Sequence, residues 1–164
     1  MATYTDSLGF DKGSAGFHVA GLNKITRVEV TLDFAKIAAA RSAAGATALT
    51  SGDIIEAIPL PAKSLVLGVG LDVTTAEGGT LTIDIGDGAD ADGYLDGVNA
   101  NTAASYWSGN NLTVTAGSPN AVAGTPYAYA LGKYYSAADT IDVVTVNAAD
   151  AAVMHLWALV LDCS

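Results

Sequence analysis

The stretch TIDIGDGADADGYLDG, residues 82–97, sets Asp84, Asp87, Asp90, Asp92 and Asp96 within sixteen positions. Carboxylates at that density suit three kinds of chemistry: holding a hard cation, acid–base work by a facing pair, or capping of turns. An EF-hand loop needs oxygen ligands at its first, third and fifth positions and a glutamate at its twelfth. Counted from Asp87, the third and fifth positions are Ala89 and Ala91; counted from Asp90, the third is Asp92 but the fifth is Tyr94. Neither register fits, and the segment does not repeat as calcium-binding β-helix sequences do. Glycoside hydrolysis needs two carboxylates opposed across a sugar, one of them with a raised pKa, and no pair here is singled out. The spacing favours aspartates that cap their own backbone in glycine-rich turns. No metal-binding, cofactor-binding or catalytic residue is therefore assigned, and the five aspartates stand only as candidates for a cation.

Other reactive side chains are few. Tyr94, Tyr106 and Trp107 fall in one region and suggest an aromatic platform for a sugar, although aromatics in a loop also anchor it to the body or to a neighbouring subunit. His18 and His155 are isolated. His155 shares its parity with Val153, Trp157, Leu159 and Leu161, which predicts a core or interface position. Cys163 is the single cysteine, so it makes no internal disulfide and, with two scattered histidines, no structural zinc set. Ser164 follows it with no visible base. GLNKIT (21–26) and GVGLDV (68–73) lack the glycine spacing and the lysine–hydroxyl pair of a phosphate loop. The acceptor pattern NLT at 111–113 reads as a turn entering a strand.

The charge distribution narrows the partners. The net charge is −10 over 164 residues. Residues 1–63 hold six acids and the six bases Lys12, Lys24, Arg27, Lys36, Arg41 and Lys63, whereas residues 64–164 hold eleven acids and one base, Lys133. Such a field repels phosphate backbones, so no nucleic acid partner is expected. No apolar run approaches the ~18 residues of a membrane helix, and MATYTDSLGF does not read as a signal peptide; no membrane contact is expected, and synthesis is placed in a cytoplasm.

The elements that must position these residues are strands. TRVEVTLDF (26–34) alternates Val28, Val30, Leu32 and Phe34 against Arg27, Glu29, Thr31 and Asp33, a half-buried strand. The alanine-rich stretch 35–53 predicts either a short helix near 35–44 or a loop tucked against a partner. A strand over 53–58 meets Pro59 and Pro61, where the chain bends or runs along an edge. Leu65, Leu67, Val69, Leu71 and Val73 keep period two, with Gly68 and Gly70 opposite, small enough to admit a closely packed element. Gly78-Gly79 predicts a hairpin into the strand around Leu81, Ile83 and Ile85. Further strands are expected at 110–117, 125–132, 139–146 and 151–162, the last apolar on both faces and so central. The region 86–110 reads as one long connection, a length usually tied to function or a partner. The sum is an all-β chain, an antiparallel β-sandwich or small barrel: residues 1–25 form an extended N-terminal arm and residues 26–164 a single β-sandwich domain.

Two stretches carry a resemblance. IPLPAKSLVLGVGLDVTTAEGGTLTIDIGDGADADGYLDGVNANTA and YYSAADTIDVVTVNAADAAVMHLWALVLD resemble head decoration, or cement, proteins of tailed phages, many of them marine; the likeness spans about residues 26–162. It implies a β-sandwich, jelly-roll-like, lying on the outer capsid surface of a virion. It further implies a homotrimer whose partner is the major capsid protein and whose role is to bridge neighbouring capsid subunits, with no enzymatic activity and no cofactor. The arm at 1–25, the alanine-rich 35–50 and the stretch 94–110 are then the candidate contact regions. The alternative is a carbohydrate- or receptor-binding module of a phage tail or head fibre, for which a groove including Trp107 would be the site.

Overall fold

The structure, a computed structural model, describes residues 25–108, the backbone of 120–121, and residues 132–163. The expected arm at 1–25, apart from Ile25, and the strands expected at 110–117 and 125–132 lie outside these residues, except for Gly132.

The first strand, β1 (Ile25–Asp33), turns Val30 and Leu32 into the core and Arg27, Glu29 and Thr31 to solvent, as its alternation predicts. It runs directly into the helix α1 (Phe34–Ala43). Asp33 caps that helix: its Oδ1 accepts the Lys36 backbone N–H at 3.1 Å, and its other oxygen pairs with Lys36 Nζ at 2.8 Å, satisfying an N-terminal donor that would otherwise have no partner. Phe34 and Arg41 are its buried side chains, Arg41 donating from Nε to the Thr47 carbonyl at 2.6 Å.

The remaining strands are β2 (Ile54–Leu60), β3 (Ser64–Thr75), β4 (Thr82–Gly86), β5 (Leu95–Asn99), β6 (Ala104–Trp107), β7 (Asn120–Ala121), β8 (Lys133–Tyr135), β9 (Asp139–Thr145) and β10 (Val153–Asp162). They form two sheets. One has the order β1-β10-β3-β6-β7, with β8 also paired to β3; the other has the order β2-β9-β4-β5. All pairs are antiparallel except β6 with β7. The chain is thus an all-β antiparallel sandwich, with Leu71, Met154 and Leu156 of one sheet and Ile83, Ile85, Ile141 and Val143 of the other in a common core. β10 lies between β1 and β3, the central place that its double-sided apolarity predicts.

One expectation is extended and three are corrected. The strand expected at 53–58 extends through Pro59, which pairs with Thr140, and β2 runs along the edge of its sheet as the prolines predict, an edge strand being hydrogen-bonded on one side only. In β3 the period of two breaks at a bulge, where Val66 pairs with Val160 and Gly68 with Leu159. Leu67 is the extra residue, so Val66, Val69, Leu71 and Val73 are buried while Leu65 and Leu67 face outward. Gly78-Gly79 makes no hairpin, since β3 and β4 belong to different sheets. The crossing is held instead by Glu77, 8% exposed, whose Oε2 accepts the backbone N–H groups of Ala151 and Ala152 at 3.1 and 3.0 Å. Finally, 86–110 is not one long connection, because β5 and β6 lie within it. In β5 only Leu95 and Val98 are buried, and Gly97 at φ 67° breaks the alternation that would reveal a strand.

Candidate functional site

The aspartate-rich turn is a structural knot. Asp87 Oδ1 accepts the backbone N–H groups of Ala89 and Asp90 at 2.9 and 3.1 Å, an aspartate closing its own turn. Its Oδ2 accepts the Tyr135 hydroxyl at 2.6 Å and the Lys133 ammonium. Tyr135 also shares a hydrogen bond of 2.8 Å with the hydroxyl of Tyr94. The Asp87 side chain is fully buried and that of Lys133 is 21% exposed. Burial pushes the Asp87 carboxyl up, but Lys133, Tyr135 and the Ala89 N–H together hold it below its ordinary value. Burial and that carboxylate drive the Tyr135 hydroxyl far above the usual range, so it remains a donor. The single base of the last hundred residues is therefore spent inside the protein, clasping β8 of one sheet to the β4–β5 turn of the other.

The other aspartates do not converge. Asp84 Oδ1 accepts the Gly97 N–H at 2.8 Å across β4 and β5. Burial leads in raising its pKa, Gly97 opposes this, and the charges of Asp96 and Asp92 add to it. Asp90 is raised by its hydrogen bond with Asp92. Among the described residues no group of three or more histidine, cysteine or carboxylate side chains is gathered as a metal ion requires. What these residues build is an acidic outer face on the four-stranded sheet, with Glu56 and Asp96 exposed and Asp84 half-buried.

Asp142 belongs to the same face, paired with Glu56 on one side and Gly86 on the other. It is only 6% exposed. Burial foremost, with the charges of Glu56, Asp139 and Asp87, pushes its carboxyl up to about 6, against the Thr140 hydroxyl that donates to it at 2.6 Å. The folded protein thus holds this proton more tightly than the unfolded chain, so the contribution of Asp142 to stability falls as pH rises from its ordinary value towards about 6. Asp142→Asn keeps the acceptor and removes the charge. Its expected effect is a gain of ~1–2 kcal/mol at about pH 7.5 that vanishes near pH 4, read from urea melts at the two pH values.

The aromatic platform anticipated from Tyr94, Tyr106 and Trp107 is not formed. Tyr94 is 2% and Tyr106 8% exposed, because alternation along β6 turns Tyr106 inward, where its hydroxyl donates to the Asn99 carbonyl at 2.7 Å. Trp107 faces out and packs on Trp157 of β10, ring centroids 4.8 Å apart. Gly68 and Gly70 make room for the pair. A Cβ on Gly70 would lie 2.3 Å from the Trp157 ring, and one on Gly68 would lie 3.3 Å from that of Trp107. Arg27 covers Trp157 at 5.2 Å. His155 is exposed rather than in the core, with Nδ1 3.1 Å from the Thr31 hydroxyl. Its neighbours in parity, Trp157, Leu159 and Leu161, are half-buried on the same outer face.

That face was not visible as a site in the sequence. The β10 register aligns Ile25, Leu161 and Leu65, and β8 adds Tyr134 beside Leu65, giving an apolar row across four strands. Ile25 is 53% and Tyr134 54% exposed. The signal was present in the two-sided apolarity of β10, which reports one face in the core and another that is not polar. The sandwich therefore carries an acidic outer face on one sheet and an apolar outer face on the other.

No family model and no curated protein matches the sequence. Among solved structures, the chain is similar to one in the capsid of Ralstonia phage GP4, with 16% identity and a TM-score of 0.51 over 89% of this chain and 88% of that one. It is also similar to a chain of the cyanophage Pam1 capsid asymmetric unit (16% identity, TM-score 0.49, 99% of this chain and 92% of that one). A third likeness is to a chain in the acidic stable capsid structure of Helicobacter pylori bacteriophage KHP30 (13% identity, TM-score 0.48, 92% and 94%). At such identity the GP4 likeness is one of fold.

Proposed function

We propose that this chain is a structural protein of a phage virion, a decoration protein that binds the outer surface of the capsid and bridges neighbouring capsid subunits. The observation that carries the reading is the fold shared with a chain of the GP4 capsid over 89% of the length. The strand order adds to it. From β1 to β4 successive strands alternate between the two sheets, β5 pairs with β4, and β10 returns between β1 and β3 while β9 returns between β2 and β4, an order that supports a jelly-roll-like reading. The role is mechanical, with no enzymatic step. A homotrimer lying across the seams of the shell holds by several contacts at once, and simultaneous release is improbable even where each is weak. The partner is the major capsid protein, contacted by the arm at 1–25 and by the alanine-rich 35–50; the body is a single sandwich domain from residue 26 onward. The acidic sheet faces solvent.

The test is to mix the purified chain with empty shells of the major capsid protein from the same virus. Saturable co-sedimentation is expected, with density over three-fold positions by cryo-electron microscopy and a disassembly temperature raised by several degrees. Failure to co-sediment at about 0.05–0.15 M salt would overturn the reading, as would density confined to a tail or fibre.

A further inference from the structure

We infer that the apolar outer face of the six-stranded sheet is where copies of this chain meet. An antiparallel sheet with one face on the core normally turns polar side chains to water on the other. Here β10 turns out Trp157, Leu159 and Leu161, and Leu67 of the β3 bulge is 38% exposed beside them. The field spans four strands, ~14 Å between the outer axes, and about five residues along them. With side chains it covers a few hundred Å², the size of patches that mark interaction sites and of the apolar centre of a standard interface burying ~800 Å² per partner.

Charge selects the occupant. Each copy carries −10, and the opposite sheet presents Glu56, Asp84 and Asp96 outward, so two copies repel through that side. Beside the apolar field Arg27 and Glu29 are paired at 2.9 Å and both exposed, Asp72 is half-buried opposite His155, and Lys63 and Asp162 are exposed at the strand ends. Arg27 and Glu29 cancel within one copy, and each can equally take the opposite charge of a neighbour. The surface is therefore complementary to itself: apolar at its centre, with charges of both signs at its margin and the acidic faces turned outward and far apart. The two tryptophans of the chain lie on it and report its burial.

The biological use of this contact rests on the virion reading, but the contact is tested without capsid. Sedimentation velocity of the purified full-length protein from about 1 to 100 μM is expected to show an oligomer, with tryptophan emission shifting to the blue as it forms. Tyr134→Glu and Leu67→Glu, both at exposed positions, should each weaken association at least ~10-fold and leave the melting temperature of the dilute protein within a few degrees of wild type. Asp96→Asn on the acidic face should leave association unweakened. A wild-type monomer at every concentration overturns the inference, as does an oligomer indifferent to both substitutions. A dimer that these substitutions break supports the contact and removes the trimer. An oligomer that they break, but that does not bind shells, supports the contact and removes the virion reading.

Discussion

Replacing Gly86 with alanine is expected to destabilise the protein by about 3 kcal/mol, which is enough to unfold a marginal domain in part. A Cβ at this position would stand 1.9 Å from the Asp90 carbonyl oxygen and 2.4 Å from the Ala91 carbonyl carbon. Both are backbone atoms, so no rotamer change relieves the collision. Nor can the turn withdraw freely. Asp87 N donates to the Asp90 carbonyl and Tyr94 N to the Ile85 carbonyl, each at 2.9 Å, and the Asp87 carboxylate holds two further N–H groups of the turn. Relief would therefore break the clasp to Lys133 and Tyr135 as well. Gly78→Ala is the control: nothing lies within 4 Å of its Cβ position, and its φ is not in the left-handed region. It should be neutral or stabilising by up to ~1 kcal/mol, because alanine loses less chain entropy on folding. Urea melts of the two variants should separate by more than their errors; equal midpoints would mean that the turn is not packed on Gly86.

Lys133→Met is expected to cost about 2–4 kcal/mol, since it leaves the fully buried Asp87 carboxylate without its ammonium. The sign of the pH dependence should change with it. In the wild type the folded Asp87 has a lowered pKa, so its contribution is complete above the unfolded value and is lost as pH falls through the depressed one. Without Lys133 the desolvation that already pushes the carboxyl up loses its main counterweight. The carboxyl should then titrate above its unfolded value, and acidification towards about pH 4 should restore part of the lost stability. Asp87→Asn combined with Lys133→Met removes both charges and should recover a substantial share, the cycle giving a coupling of ~1–3 kcal/mol. Two additive single losses would show that the pair does not act as a unit.

What the sequence revealed follows from what is local. The alternation of Val28, Val30 and Leu32 depends on one strand and one core face, and it reads correctly. Alanine content left a helix or a loop open after Asp33, and the structure takes the helix; Asp87 closing its own turn reads correctly. The bulge at Leu67 depends on the register of β10, ninety residues later in the chain, and no pattern within β3 announces it. β5 was hidden because Gly97, Asp96 and Asn99 make a strand without an apolar period. Lys133 gave a signal in its isolation, as the lone base among eleven acids, but its partner is set by the packing of two sheets. The aromatic trio misled for a related reason. Proximity in sequence put Tyr106 and Trp107 together, and the pleat of β6 sent them to opposite sides.

The place of β10 has a consequence for how the chain is made. Val153–Asp162 lies between β1 and β3, hydrogen-bonded to both. While a ribosome is still translating the first 150 residues, β1 and β3 have no neighbour between them, and the larger sheet cannot close however long synthesis pauses. A chain interrupted before Val153 leaves two bonding edges open and the inward side chains of β1 and β3 short of their packing, a species prone to aggregation. The larger sheet can therefore close only in chains that carry Val153–Asp162.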